Sequence, residues 1–560
     1  MGDSGRRLAG HGLVTLLAAF TYLYGLDSQH IPKNGDEYPY EHITRLTADS
    51  GRLLPLRSEL PGMRNTKPPL LFWQGIASTG WGRRWTLWDL RTPSVVYTLL
   101  TGLLVFLLGS RLSGRPETGL VAGLSFLAFF STYRYGRPFL TNPPEVFWLF
   151  LPFFALLYWG KAAPASRFAF PLLAGVAIGI ALLYKSFALV VPAGLGLAGL
   201  YVHSRDYRLA TFLARDSWKV LITLSVSLAL FGAWFLLDPD PGAVWREFVL
   251  GENVGKFDLP GGYLPRLLWG TSSLWSLAMG YPLNAGLLFF PVVALFVIAW
   301  RSRRELSDGE GGLWIWVLTL FLAFAVPSQR SSRYLLPAMP ALAVLLALGW
   351  RRIPRWAFTL SLLASAAVIA VIATLSLLLQ HALPGPRLYP LAHWALLAGA
   401  GAVVLAALCV PALTRPTVHA AVFLCTLSFA AFLRPFDGPL GQYDADAQRQ
   451  VQGREVWVPV DFIAKEEGYR FLLPGAHVRG YPEERDTRAG DLLARYPLVV
   501  IRRPLSDVAA QAGRVLGQRL DLRGRQTARE IGEILSGNVL EHLFVREQLI
   551  EARAGAASPR

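Results

Sequence analysis

Residues 356–379, WAFTLSLLASAAVIAVIATLSLLL, carry no charged side chain over the roughly 17–25 residues that a membrane-spanning helix needs. Apolar runs of this kind follow one another from Leu8 to about Phe436, with short polar breaks between them. They predict about thirteen spans, at 10–26, 92–110, 117–131, 143–160, 168–183, 187–202, 219–237, 283–300, 313–327, 334–350, 356–379, 389–410 and 418–434. The stretch 168–202 reads either as a pair of spans or as one long kinked one. The expected fold class is therefore an all-α polytopic membrane domain over residues 1–436. Residues 437–560 read like an ordinary soluble sequence and predict a small C-terminal α/β domain. In that tail, strand-like runs (Glu455–Val460, Pro497–Ile501, Leu543–Ile550) alternate with helix-like ones (Ser506–Gly517, Gln526–Leu535).

Composition agrees. Of 560 residues, 53% are hydrophobic and 16% charged, against about 25% charged in soluble domains. The net charge of +16 would suit a nucleic-acid partner, but the basic residues are scattered through short interhelical loops, so no nucleic acid is expected. With the N-terminus inside, the inner loops are Arg111–Pro116, Lys161–Arg167, His203–Lys219, Arg301–Gly312 and Arg351–Arg355. All are basic or carry basic clusters, as the positive-inside rule requires, which places the C-terminal domain outside. Membrane lipids are expected partners, their anionic headgroups meeting some of these cations. The run Gly12–Leu26 follows Arg6 and Arg7 without a small-residue cleavage site and reads as an uncleaved first span. Cys409 and Cys425 both fall inside predicted spans and read as buried apolar fillers rather than a disulfide or metal pair.

Two outer loops, Asp27–Arg91 and Asp238–Pro282, are long enough to suggest function. The first holds amphipathic stretches at Tyr38–Thr47 and Pro68–Thr79. It also carries Arg45, Arg52, Arg57, Arg64, Lys67, Arg83, Arg84 and Arg91 on the side the charge rule disfavours, which points to an anionic ligand.

Within that loop, Asn34-Gly35-Asp36-Glu37 sets two carboxylates at a helix start. Capping and the helix dipole explain such a pair without any catalysis. The chemical alternative makes Asp36 a general base, or a stabiliser of developing positive charge. Glu41 and Arg45, at i and i+4, read as a surface pair. In Thr66-Lys67-Pro68-Pro69-Leu70, the prolines start a helix and fix Lys67 at its N-terminal end, against the dipole. Snorkelling to headgroups would explain that cation, and so would a lipid phosphate. Lys185 lies between two apolar runs at an outer turn, where anchoring and ligand binding both fit. Arg330 and Arg333 flank a short loop beside Tyr334, suiting either a topological anchor or a phosphate site. Glu145 reads as a helix-start carboxylate, and Glu466-Glu467 as a solvated helix face.

Asp36-Glu37 after the first span, with Lys67-Pro68-Pro69-Leu70 about thirty residues on, resembles the GT-C glycosyltransferases that use polyprenyl-phosphate sugars. The likeness is to the bacterial lipid A aminoarabinose transferases and, further off, to the protein O-mannosyltransferases. Three more segments match in order: Arg137-Pro138-Phe139-Leu140-Thr141-Asn142-Pro143-Pro144, Gly251-Glu252-Asn253-Val254-Gly255-Lys256-Phe257, and Arg333-Tyr334-Leu335-Leu336-Pro337. The likeness covers most of residues 10–350, with these spaced motifs in order along it. There are departures too. Asn142 stands where the family often has aspartate, Pro39 where the aminoarabinose branch often has arginine, and Lys256 where arginine is usual.

The resemblance implies inverting transfer of a sugar from a polyprenyl-phosphate donor, such as undecaprenyl phosphate, to a lipid, glycan or protein acceptor outside a bacterial cytoplasmic membrane. Asp36 and Glu37 are its expected catalytic carboxylates. Lys67, Arg137, Arg333 and Tyr334 are expected on the donor phosphate, with Lys185, Asn142, Glu252, Asn253 and Lys256 as further candidates. The resemblance allows a divalent metal, yet no ligand set is evident: no acidic residue directly flanks Lys67, and no histidine lies between Ser204 and His381. A lipid-linked sugar transporter and an assembly scaffold are the competing readings. No inverted-repeat symmetry of the kind transporters often show is present in the hydropathy.

Overall fold

The computed structural model describes residues 3–32, 34–160, 168–253, 263–383, 387–461, 463–482, 489–507, 513–523 and 526–553. Two compact units emerge. One comprises Met1–Leu23, Ile43–Ser365 and Val403–Phe423; the other comprises Tyr24–His42, Ala366–Ala402 and Leu424–Arg560.

Every predicted span coincides with helix. In order these begin with α1 (Asp3–Leu23), then α2 (Glu37–Asp49) and α3 (Leu70–Ser78) of the first long loop, then α4 (Leu87–Ser113) and α5 (Pro116–Ala128). A short α6 (Phe130–Gly136) precedes α7 (Asn142–Trp159), α8 (Ala169–Tyr184) and α9 (Val190–His203). Helices Ser217–Leu237, Leu274–Ala285, Phe289–Arg301, Asp308–Ala325, Met339–Leu348, Arg355–Ala382, Leu391–Cys409 and Thr414–Leu433 account for the remaining spans. Among the described residues, seven helical stretches are long and apolar enough to cross a membrane, and shorter apolar helices such as α8 accompany them. The protein is a multi-pass membrane protein. Only 28% of the most apolar window of Ser217–Leu237 is buried inside the protein, and Leu221, Leu228, Leu236 and Leu237 stand exposed. Water would not tolerate that surface, whereas hydrocarbon is its natural solvent.

Between lipid-solvated helices, close packing replaces the hydrophobic drive, so small residues set the contacts. Gly175 and Gly179, one turn apart on α8, face Ser217–Leu237. A Cβ on Gly175 would meet Val226 at 2.7 Å, and one on Gly179 would meet Leu230 at 2.9 Å. The stretch 168–202 is resolved as a pair: α8 ends at Tyr184, and a 3-10 turn at Phe187–Leu189 leads into α9.

The second unit carries a five-stranded mixed sheet in the order β2-β1-β3-β5-β4: β1 (Glu455–Val460), β2 (His477–Pro482), β3 (Leu498–Arg503), β4 (Arg514–Leu522) and β5 (Phe544–Glu551). β1 runs parallel to β2 and β3, while β5 is antiparallel to β3 and β4. Val456, Val458, Leu498, Val500 and Leu549 pack one core with Tyr469 and Leu472. Strands β1, β3 and β5 fall where expected. The helix expected at Ser506–Gly517 does not hold: its described C-terminal part opens β4, because Leu520 and Leu522 alternate with polar residues and pair with Arg546 and Phe544 across the ladder. β2 escaped the sequence reading because Gly480 and Pro482 are poor strand formers that an edge strand tolerates.

The same unit ties the start of the first long loop to the tail. Asp437 accepts from the Ser28 hydroxyl, from the Gln29 backbone N–H at 3.1 Å, and meets His30 Nδ1 at 2.8 Å. Gln29 Nε2 donates to the Gly468 carbonyl at 2.9 Å. Cys409 is exposed at a helix end rather than buried, while Cys425 is buried as expected.

Candidate active site

Lys67 sits where the prolines put it. Pro69 caps α3 and has no N–H to waste, so the residue two before it is held at the helix entrance. Its Nζ lies 2.5 Å from Glu252 Oε1 and 2.8 Å from the Thr66 carbonyl, with only 13% of the side chain accessible. Glu252 belongs to a π-helix, Val244–Asn253, inside the second long loop. Hydrogen bonding from i to i+5 stacks residues five apart, which turns Glu247 and Glu252 to one side. Glu247 Oε2 accepts from the Asn65 backbone N–H at 3.0 Å and from Asn65 Nδ2 at 2.9 Å. Arg64 lies 3.6 Å from Asp238 and 3.7 Å from Asp240. The two long loops are thus clasped through residues 64–67. Part of the cationic excess in the first loop is spent on carboxylates of the second, a pairing that no spacing in the sequence announces.

A second set of groups meets the same region through α7 and the α8–α9 turn. Asn142 opens α7; its Oδ1 accepts from Arg333 Nε at 2.9 Å and its Nδ2 donates to Glu145 Oε2 at 3.0 Å. Glu145 is buried and also pairs with Lys185 Nζ at 3.3 Å. Next to Lys185, the Ser186 hydroxyl donates to Asn253 Oδ1 at 2.6 Å, and Asn253 Nδ2 donates to the Phe248 carbonyl at 2.7 Å. Arg333 lies over the Tyr135 ring, 4.9 Å from its centroid. Tyr334, beside it in the 3-10 turn Ser332–Ala338, packs on Phe324.

Burial lowers the Lys185 pKa to about 8. Glu145 opposes that shift, and the charges of Arg333 and Lys67 add to it. The cluster therefore gathers three cations (Lys67, Lys185 and Arg333) around two carboxylates, Glu145 and Glu252. Such a balance leaves room for an anion, and an arginine fork beside point-like ammonium groups suits phosphate.

The remaining expectations fall differently. Arg137 is fully buried: its Nε donates to the Tyr22 carbonyl at 2.9 Å, its Nη1 to the Tyr133 hydroxyl at 2.6 Å, and its guanidinium covers the Tyr133 ring. It fastens α6 to α1. Arg330 is likewise an anchor, donating to the carbonyls of Ala325 and Ser272. Lys256 lies outside the described residues. Asp36 and Glu37 belong to the second unit. Asp36 is exposed, with its N–H on the Asn34 side-chain oxygen, and Glu37 is buried as the first residue of α2. Glu41 is buried rather than at the surface, and Arg45 reaches Asp49 at 3.3 Å. Glu466 and Glu467 are buried too, not solvated: Glu467 binds His42 and Arg470. Two adjacent glutamates carry no sign in the sequence of the histidine that packs on them.

The family described as Dolichyl-phosphate-mannose-protein mannosyltransferase matches residues 35–245. An undecaprenyl phosphate-alpha-4-amino-4-deoxy-L-arabinose arabinosyl transferase of Sodalis glossinidius is 29% identical over 392 residues, 68% of this chain and 67% of that protein. One from Proteus mirabilis is 25% identical over 351 residues, 60% of this chain and 58% of that relative. Among solved structures, ArnT from Cupriavidus metallidurans bound to undecaprenyl phosphate is matched over 100% of both chains, with a TM-score of 0.61 and 17% identity. The chain shares that fold, and the resemblance carried by its spaced motifs holds.

Proposed function

We propose that this chain transfers a sugar from a polyprenyl-phosphate donor to a lipid, glycan or protein acceptor on the extracytoplasmic side of a bacterial inner membrane, with its N-terminus cytoplasmic. The observation that carries this reading is the gathering of Lys67, Lys185 and Arg333 from three distant segments, with Asn142 orienting the arginine. In the reaction an acceptor oxygen attacks the anomeric carbon as the bond from that carbon to the phosphate oxygen breaks. The configuration inverts, and polyprenyl phosphate leaves carrying one more negative charge. Fixed cations aimed at that growing charge lower the barrier, because they need no reorganisation when it appears. Lys67 and Arg333 hold the phosphate, Lys185 adds a third positive charge, and Tyr334 donates a hydrogen bond. Asp36 takes the proton of a hydroxyl acceptor, with Glu37 beside it in the chain. An acceptor that is already ionised needs no base, and Asp36 then steadies the oxocarbenium-like sugar.

The test is transfer by the purified chain in proteoliposomes, with a synthetic undecaprenyl-phosphate sugar and with lipid extracts as acceptors, read by mass spectrometry. Lys67→Ala and Asp36→Asn should each lose about 100-fold or more of kcat/KM with normal membrane insertion. Full turnover in both variants would end the proposal. Donor crossing the bilayer with its sugar still attached would mark a flippase instead.

A further inference from the structure

The geometry points to a divalent-cation site in the second unit, formed by His42 of α2 with Glu466 and Glu467 of the C-terminal region. One ligand atom from each lies within 4.8 Å of the others, and all three residues are buried. His42 Nδ1 is 2.9 Å from Glu467 Oε1 and 3.9 Å from Glu466 Oε1. A metal bound at about 2.0–2.2 Å by imidazole and carboxylate brings its ligands to separations of this order with small side-chain movements.

Two features separate this cluster from an ordinary ion pair. Arg470 Nε occupies Glu467 Oε2 at 3.0 Å, so the other oxygen of that carboxylate is the one turned to His42. Outer partners of this kind are what fix first ligands in metal sites. Glu466 is 7% exposed, and its Oε2 has no hydrogen-bond partner among the described residues. A buried carboxylate oxygen left in that state costs free energy, and a cation held between the two glutamates removes the cost. One imidazole and two carboxylates favour zinc or manganese over magnesium, which prefers all-oxygen shells that keep several waters. The bound ion would pin α2 to the helix Glu467–Leu472 inside the one unit, five residues beyond Glu37.

The test uses the full-length chain in detergent, with its affinity tag removed, stripped by chelator and then dialysed against Zn(II) or Mn(II). Elemental analysis should find about one ion per chain, and the Tm should rise with ion concentration, as for any ligand that binds only the folded state. Glu466→Gln keeps the shape and removes the charge; it and His42→Ala should each lower affinity by at least about 100-fold, more than an outer-shell change does. If His42→Ala fails to fold, Glu466→Gln alone decides the question. Retention of the ion by Glu466→Gln at wild-type affinity would overturn the site, as would failure of the wild type to take up either metal. Metal content is measured without any transfer assay, so this outcome is independent of the proposed reaction.

Discussion

Lys67 and Glu252 face each other at 2.5 Å across 185 residues of sequence, so the lysine proposed for the donor phosphate already has a carboxylate on it. The incoming phosphate competes with that carboxylate. Glu252→Gln should therefore tighten binding of undecaprenyl phosphate several-fold, as read by tryptophan fluorescence or thermophoresis in detergent. Weaker binding would show that Glu252 positions the lysine rather than restrains it.

The Lys185 ammonium gives the site a pH signature. Its pKa is lowered to about 8 by burial, against an ordinary value near 10.5. Anion binding needs the charged form, so donor affinity should fall as pH rises through about 8, and Lys185→Arg should flatten that fall between pH 7 and 9. Stability runs the other way. Between about 8 and 10.5 the unfolded chain binds the proton that the folded one releases, so this lysine's contribution to stability grows with pH across that window. A binding profile flat to pH 9.5 in the wild type would remove Lys185 from the site.

Asn142 reads both neighbours at once, accepting from Arg333 and donating to Glu145. Asn142→Asp restores the residue common in the resembling family but turns the donor into a second carboxylate against Glu145. Turnover should drop about tenfold or more, while Asn142→Gln should fall less. A gain in activity from Asn142→Asp would mean that Arg333, not Glu145, controls this position.

The tail holds a buried network of its own. Glu547 is fully buried, takes Arg519 at 2.7 Å and Arg502 at 3.1 Å, and accepts from the Tyr469 hydroxyl at 2.8 Å. Glu547→Gln removes one of the two carboxylates that these guanidiniums share, the other being Asp521, a loss of about 3–5 kcal/mol. The variant should show rapid proteolysis of residues beyond Leu424 and a lower Tm. An unchanged melt would mean that Asp521, 3.0 Å from Arg502, carries the charge balance.

The helices were legible because one-dimensional hydropathy decides what dissolves in hydrocarbon, and β1 and β5 were legible because their alternation is local. Lys67 and Arg333 stood out through proline and tyrosine neighbours in an ordered set of motifs. What stayed hidden depended on partners far along the chain. Arg137 looks from its motif like a phosphate ligand, yet its surroundings are Tyr22 and Tyr133. Glu466-Glu467 looks like a charged surface until His42 arrives from more than four hundred residues away. The π-winding of Val244–Asn253, which aims Glu252, leaves no signature in composition.

The knot around Asp437 has a bearing on how the molecule is made. Ser28, Gln29 and His30 are synthesised some four hundred residues ahead of their acceptor. Until residue 437 has been made the segment lacks its acceptor, so this part of the second unit closes only once both stretches of chain are present.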